Sequence, residues 1–251
     1  MLGLFAAVVL LAMLRLFVPL WENSGWPDAA LLILATAATI AALANHLPVP
    51  NVLLAAGIAA GIGGMAHAIN DVTGFPFGRI EFTTAFGPRL FGILPLAIPA
   101  LWAIAALNAR GVARLLLYRS RQHPRHGYRV IGVALVLMIA FHLALNPFVV
   151  TVKGWWTANP TPLAGLISWT VLSLAIQVAI TPLLLDKFPT PRPPNFQPLF
   201  VWVALNGLLA TGLFDAGRFV EALLATAVGA IIAMLAIRTG RGTVVQTGCR
   251  T

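Results

Sequence analysis

Eight apolar runs, each near 20 residues long, divide this chain of 251 residues and fix what it can fold into. They fall at approximately 3–20, 28–46, 51–69, 89–107, 129–147, 162–184, 198–215 and 218–238. About 20 residues of helix, rising 1.5 Å each, cross the roughly 30 Å of hydrocarbon in a bilayer. Backbone amides in lipid must bond within their own segment, so each run is expected to be a helix. The expected fold is therefore all-α: one polytopic integral membrane bundle of eight helices spanning 1–251, with 239–251 as a tail. Hydrophobic residues make up 59% of the chain and charged residues 9%, against about 25% charged in a soluble domain.

Orientation follows from the positive charges, because loops rich in Lys and Arg stay on the cytoplasmic side. The connection from 108 to 129 carries Arg110, Arg114, Arg119, Arg121, Arg125 and Arg129, the next basic connection Lys187 and Arg192, and the tail Arg238, Arg241 and Arg250. The opposite loops hold only Arg79, Arg89, Lys153 and Arg218. Both termini are thus expected in the cytoplasm. A net charge of +9 raises nucleic acid as a partner, but the arginines sit in loops between apolar runs, which is the pattern of topology, so none is expected. Ala113–Tyr118 has two readings, a basic topological loop or a short helix lying in the interface.

Small residues predict where helices approach one another: Gly57, Gly61 and Gly64 on the third run, and Ala225, Gly229 and Ala233 on the eighth. Pro95 and Pro99 in the fourth run and Pro182 in the sixth predict kinks. The stretch 188–198 reads as a proline-rich connector. The last two runs are separated only by Asp215–Arg218, leaving either two full spans or a re-entrant pair. Cys249 is the only cysteine, so there is no disulfide framework. The N-terminal run lacks a basic flank and a small-residue cleavage site, and is expected to be a retained helix.

Polar residues gather at the outer ends of the runs, above all in 67–89, which holds His67, Asn70, Asp71, Arg79, Glu81 and Arg89 among Phe75, Phe77, Phe82 and Phe86. His67, Asn70 and Asp71 are expected on one helical face. His142 and Asn146 repeat the four-residue spacing, Lys153, Trp155 and Trp156 precede the sixth run, and Asp215, Arg218 and Glu221 cap the last hairpin. A polar, aromatic-lined site at the outer interface is one reading, since ionisable groups at membrane depth mark function. The other is structural. Trp155 and Trp156 are then belt anchors, His142 satisfies a neighbouring helix, Arg15 snorkels, and Asp71 with Arg79 or Arg89, like Asp215 with Arg218, forms an ion pair. No His-x-x-x-His box occurs among His46, His67, His123, His126 and His142, so no metal site is expected, which argues against membrane di-iron hydroxylases and desaturases. Nor is there a phosphate-binding glycine loop before a lysine or a Gly-x-Ser-x-Gly nucleophile turn.

The residues Thr73-Gly-Phe-Pro-Phe-Gly78, Phe82-Thr83, Phe86-Gly-Pro-Arg-Leu-Phe-Gly92, Pro95-Leu-Ala-Ile-Pro99 and Trp102 resemble the signature of the bacterial and archaeal carotenoid biosynthesis membrane proteins, which include carotenoid hydratases. Pro162 and Trp169 extend the resemblance. The chain departs from that pattern at His67, where the family commonly has an acid, at Ile80 and Phe82, where tyrosines stand, at Asn146-Pro147 in place of Asp-Pro, and at Gly165 and Ser168. It looks like a divergent member.

The resemblance implies acid-catalysed addition of water to a terminal double bond of an acyclic carotenoid, with no redox cofactor. Such chemistry needs a general acid whose protonated form is favoured by burial, aromatic faces for a tertiary carbocation, and a positioned water. Asp71 and Glu81 are the expected donors, with His67 as a third candidate catalytic residue. Phe75, Phe77, Phe82, Trp155 and Trp156 are candidate walls, and Arg79, Arg89, His142, Asn146, Trp169 and Asp215 further substrate contacts. Expected partners are a carotenoid or other long isoprenoid, membrane lipid, and further copies of the chain or other carotenoid enzymes. The expected location is the bacterial inner membrane. Two alternatives stand beside the enzyme: a non-catalytic carotenoid-binding subunit and, third, a small-solute transporter.

Overall fold

The computed structural model describes Gly3 and residues 26–157, 162–185 and 193–247, with side chains through 240. The first expected run, Arg15, Asp186 to Arg192, Cys249 and Arg250 lie outside the described residues. Seven helices are seen among the described residues: α1 Trp26–Ala44, α2 Val49–Thr73, α3 Ala97–Leu116, α4 His126–Pro147, α5 Pro162–Ile180, α6 Gln197–Asp215 and α7 Phe219–Thr247. All but α3 are long and apolar enough to cross a membrane. The molecule is thus an all-helical, multi-pass membrane protein. The last two runs form two helices of spanning length, α6 and α7.

α3 is the axis of the bundle and packs on all six other described helices. Its sequence explains why. Ala97, Ala103, Ala105, Ala106, Ala109 and Ala113 are all buried, and their small side chains let neighbouring backbones come close. Polar groups on this helix find partners inside the bundle: Asn108 Nδ2 donates to Thr39 Oγ1 at 2.9 Å, and Gln177 Nε2 of α5 donates to the Ala106 carbonyl at 2.9 Å. With no water in hydrocarbon, such bonds between helices replace solvation.

This helix is displaced from the expected fourth span. Residues 89–96 are not helical; Arg89–Leu90 (β1) and Leu94–Pro95 (β2) form a short antiparallel hairpin. Phe91 (φ 51°) and Gly92 (φ 75°) turn it, which is why a glycine follows the tip. Pro95 precedes α3 and Pro99 occupies its first turn, where the missing N–H has no helical partner to lose, so neither kinks a span. Pro182 opens a 3-10 turn after α5. The shift draws Arg110 and Arg114 into α3, and Ala113 and Leu115 are buried there, which removes the interfacial-helix reading of this stretch.

The glycine stripe on α2 is also corrected. Gly57 and Gly61 face outward, with open space beyond them. The close approach is made by Gly63, where a Cβ would stand 2.1 Å from the Trp102 indole, and by Gly64 against Leu94 and Pro99. On α7, Ala225 and Gly229 are buried as expected.

The connections alternate between two ends of the bundle. At one end Thr83 pairs with Trp155, and Lys153 with Asp28. At the other, Arg119 donates to the Arg238 carbonyl, Thr239 to Leu115, and Asn45 to Gln197. The aromatic signature and the arginine-rich connection therefore lie at opposite ends.

Candidate functional site at the aromatic end

The site grows from the last turns of α2. Asn70, buried, uses both ends of its amide: Oδ1 accepts from the Phe77 N–H at 2.8 Å and Nδ2 donates to the Gly78 carbonyl at 3.0 Å. Gly74 ends the helix in the left-handed region (φ 72°), its N–H donating to the Asn70 carbonyl, a conformation suited to glycine. The chain is thus folded back so that the Phe77 ring stacks on His67, with centroids 4.3 Å apart and planes 18° from parallel. Ser168 Oγ of α5 holds the same turn by donating to the Pro76 carbonyl at 2.5 Å.

A second loop closes over the first. Pro147 has no N–H for the preceding turn, and α4 passes into a π-helical turn, Phe148–Val152. Beyond it, residues 153–157 pair with 81–83. Thr83 N–H donates to the Trp155 carbonyl at 2.9 Å, Thr83 Oγ1 to the Gly154 carbonyl at 2.5 Å, and Thr157 N–H to the Glu81 carbonyl at 3.1 Å. Arg89 donates to the Phe82 carbonyl at 2.6 Å, which makes it a brace of this loop. The pairing buries Phe82, Phe86, Trp155 and Trp156 together. Phe86 stacks on Trp155 at 4.3 Å and Trp156 meets Phe82 edge-on at 6.1 Å. Trp155 and Trp156 are therefore core residues of the loop package, and the belt-anchor reading fails for both.

Deeper in the bundle a second stack joins three helices. Trp102 of α3 stacks on Trp169 of α5 at 4.1 Å, and His142 of α4 also stacks on Trp169, at 4.6 Å. His67 meets Trp102 at 6.2 Å in a tilted contact. Each histidine thus contacts one member of the tryptophan pair. His67 Nδ1, His142 Nδ1 and Trp102 Nε1 are buried without a hydrogen-bond partner among the described residues.

Several expected site residues are not drawn into this set. His67 and Asn70 face inward, but Asp71, Val72 and Thr73 are all exposed, because the last turn of α2 rises clear of its neighbours. The expectation of one shared face for His67, Asn70 and Asp71 is corrected accordingly. Phe75 is exposed beside that tip. Glu81 and Arg79 form an exposed pair at 3.7 Å, with 70% and 85% of their side-chain surfaces open, so it is Glu81 that pairs with Arg79. Neither carboxyl group lies in the apolar enclosure expected of a buried donor. Asn146 is half-buried one turn beyond His142, and Asp215 is exposed at the end of α6. Arg218 pairs with Glu221.

Among the described residues the buried acid of this end is Asp28, in the first turn of α1, which the sequence alone did not single out. It pairs with Lys153 at 3.1 Å and accepts from Trp155 Nε1 at 3.3 Å. Its signal was present: an acid directly after Trp26-Pro27 at the mouth of an apolar run, with Lys153 the lone lysine in the loops assigned to that side. Beneath the pair is a cavity of about 30 Å³ lined by residues including Leu31, Leu101 and Phe148, room for about one water molecule. Among the described residues no group of three or more metal-ligating side chains forms.

Comparison with curated proteins and with solved structures finds no match. A family model described as carotenoid biosynthesis protein matches residues 27–234, from the start of α1 into α7, and so takes in both loops, both aromatic stacks and Asp28. The chain belongs to the carotenoid biosynthesis protein family, and its role is in the making of carotenoids.

Proposed function

We propose that this protein adds water to a terminal double bond of an acyclic carotenoid, at the aromatic end of the bundle. The observation that carries the reading is the pair of ring stacks around His67 and His142, two histidines whose buried Nδ1 atoms lack partners among the described residues. Asp71 or Glu81 gives a proton to the alkene carbon that bears hydrogen, leaving a tertiary carbocation. Hydrocarbon laid over a carboxyl group favours its neutral, proton-donating form, so the polyene itself completes the donor's surroundings. The faces of Phe77, Phe82 and Trp102 stabilise the cation. Water held at His67 forms the new C–O bond and its proton returns by the histidine to the carboxylate. The sum is addition of one water, with no electron transferred.

The same reading sets eight spans in a bacterial inner membrane as a single domain, both termini cytoplasmic, with Phe75 and Arg79 meeting the substrate as it arrives. A second reading is a pigment-binding subunit without catalysis. It is favoured by the exposure of Asp71 and Glu81 and by the close contact of the rings with one another. The two are separated by expressing the chain in a host that makes lycopene and weighing the extracted pigments. A gain of one water supports hydration, and pigment that copurifies unchanged supports binding alone.

A further inference from the structure

A basic cavity lies at the other end of the bundle. A cavity of about 450 Å³ opens between the ends of α1, α3 and α6 and the connection from α3 to α4. Its basic wall is built from Arg110, Arg114, Arg121, His126 and Tyr118, and the facing wall is apolar, with Leu43, Leu47 and Leu184. No carboxylate is among the described residues that line it.

Two arginines of the basic wall, Arg110 and Arg121, each keep a buried N–H without a partner. Arg110 is 3% exposed. Its NH1 donates to Thr181 Oγ1 at 2.9 Å and to Gln177 Oε1 at 3.4 Å, while its Nε has no partner. Arg121 lies over the Tyr118 ring at 4.4 Å, and its NH1 is buried without a hydrogen-bond acceptor. A buried guanidinium with an open N–H is unfavourable unless an acceptor completes it. Here two such nitrogens, Arg110 Nε on α3 and Arg121 NH1 in the loop after it, border one cavity.

We infer that this cavity binds the phosphate group of an amphiphile, with Arg110 and Arg121 donating to its oxygens and the leucine wall taking the first carbons of its tail. Guanidinium forks match tetrahedral oxyanions in charge and in geometry. The apolar wall distinguishes the site from a plain topological arginine cluster, which is surrounded by water. The inference is independent of the hydration reading, since the two sites lie at opposite ends.

The test uses the full chain in a neutral detergent, with inorganic diphosphate, phosphatidylglycerol and phosphatidylcholine as probes and binding read by native mass spectrometry and thermal midpoint. Phosphatidylglycerol is expected to bind and raise the midpoint, phosphatidylcholine more weakly, and Arg121→Gln or Arg110→Gln to weaken that binding by roughly tenfold or more. Arg125→Gln, an exposed position outside the lining, is the control and should bind as the parent does. Binding of inorganic diphosphate at the same site assigns the phosphate to a soluble source as well; binding of the lipid alone assigns it to a headgroup. If Arg110→Gln fails to fold, Arg121→Gln at the rim decides. The inference is overturned if no anionic probe binds, if Arg121→Gln binds as the parent does, or if Arg125→Gln loses as much affinity as Arg121→Gln.

Discussion

Lys153 reaches 125 residues back along the chain to place its ammonium 3.1 Å from the Asp28 carboxylate. Both side chains are largely buried, at 14% and 8% exposure, and Trp155 Nε1 donates to the second carboxylate oxygen. Removing one partner of such a pair leaves an uncompensated charge, at about 3 kcal/mol or more. Asp28→Asn should therefore lower the thermal midpoint in detergent strongly. Asp28→Asn combined with Lys153→Gln should recover part of that loss. Additive losses in the double variant would show that the two residues do not act as a pair.

Asn70 is the clamp that aims Phe77 at His67. Asn70→Ala removes two hydrogen bonds and leaves a buried N–H and carbonyl wanting partners, a loss of about 2 kcal/mol. Hydrogen exchange at the Phe77 and Gly78 amides should become markedly faster, with the amides of α6 unaffected.

Gly63 and Gly57 lie on different faces of α2 and should respond differently to the same change. Gly63→Ala drives a methyl into the Trp102 indole and should destabilise by about 1–3 kcal/mol, as overpacked cores do. Gly57→Ala meets open space and should leave the thermal midpoint unchanged or slightly raised.

Topology is tested in a Cys249→Ser background with single cysteines and a reagent confined to the outside of the cell. Arg79→Cys should be labelled and Arg119→Cys protected. Labelling of Arg119→Cys with protection of Arg79→Cys would reverse the proposed orientation.

What the residues disclosed in advance, and what they withheld, follows from the physics of each signal. Apolar length announced the helices, because the hydrocarbon thickness sets one scale for all of them. It misplaced the fourth span, since 89–107 and 97–116 are both apolar on average and only the hairpin at Phe91 and Gly92 decides between them. Arg110 looked like a loop charge, yet it is buried in the central helix, because hydropathy does not register a cation that finds Gln177 and Thr181 across the bundle. That His67, Phe77, Phe82 and Trp155 share one end followed from the order of the apolar runs, whereas their ring contacts were not legible. Nor was the turning outward of Asp71, for it depends on how far the tip of α2 rises above its neighbours. Asp28 was visible as a residue, but its partner Lys153 lies in the distant loop after α4, and a lone sequence does not record pairings across the bundle.

The central claim, that the aromatic end carries acid-catalysed hydration, is tested most directly by pigment mass. The parent, Asp71→Asn and Glu81→Gln are expressed in a lycopene-making host, and pigments are extracted and weighed by mass spectrometry, with protein level matched. The account predicts a hydrated carotenoid from the parent and its loss, by at least about a hundredfold, in one of the two carboxyl variants. Hydrated product at the parent's level in both variants, or copurified pigment of unchanged mass in all three, would contradict it.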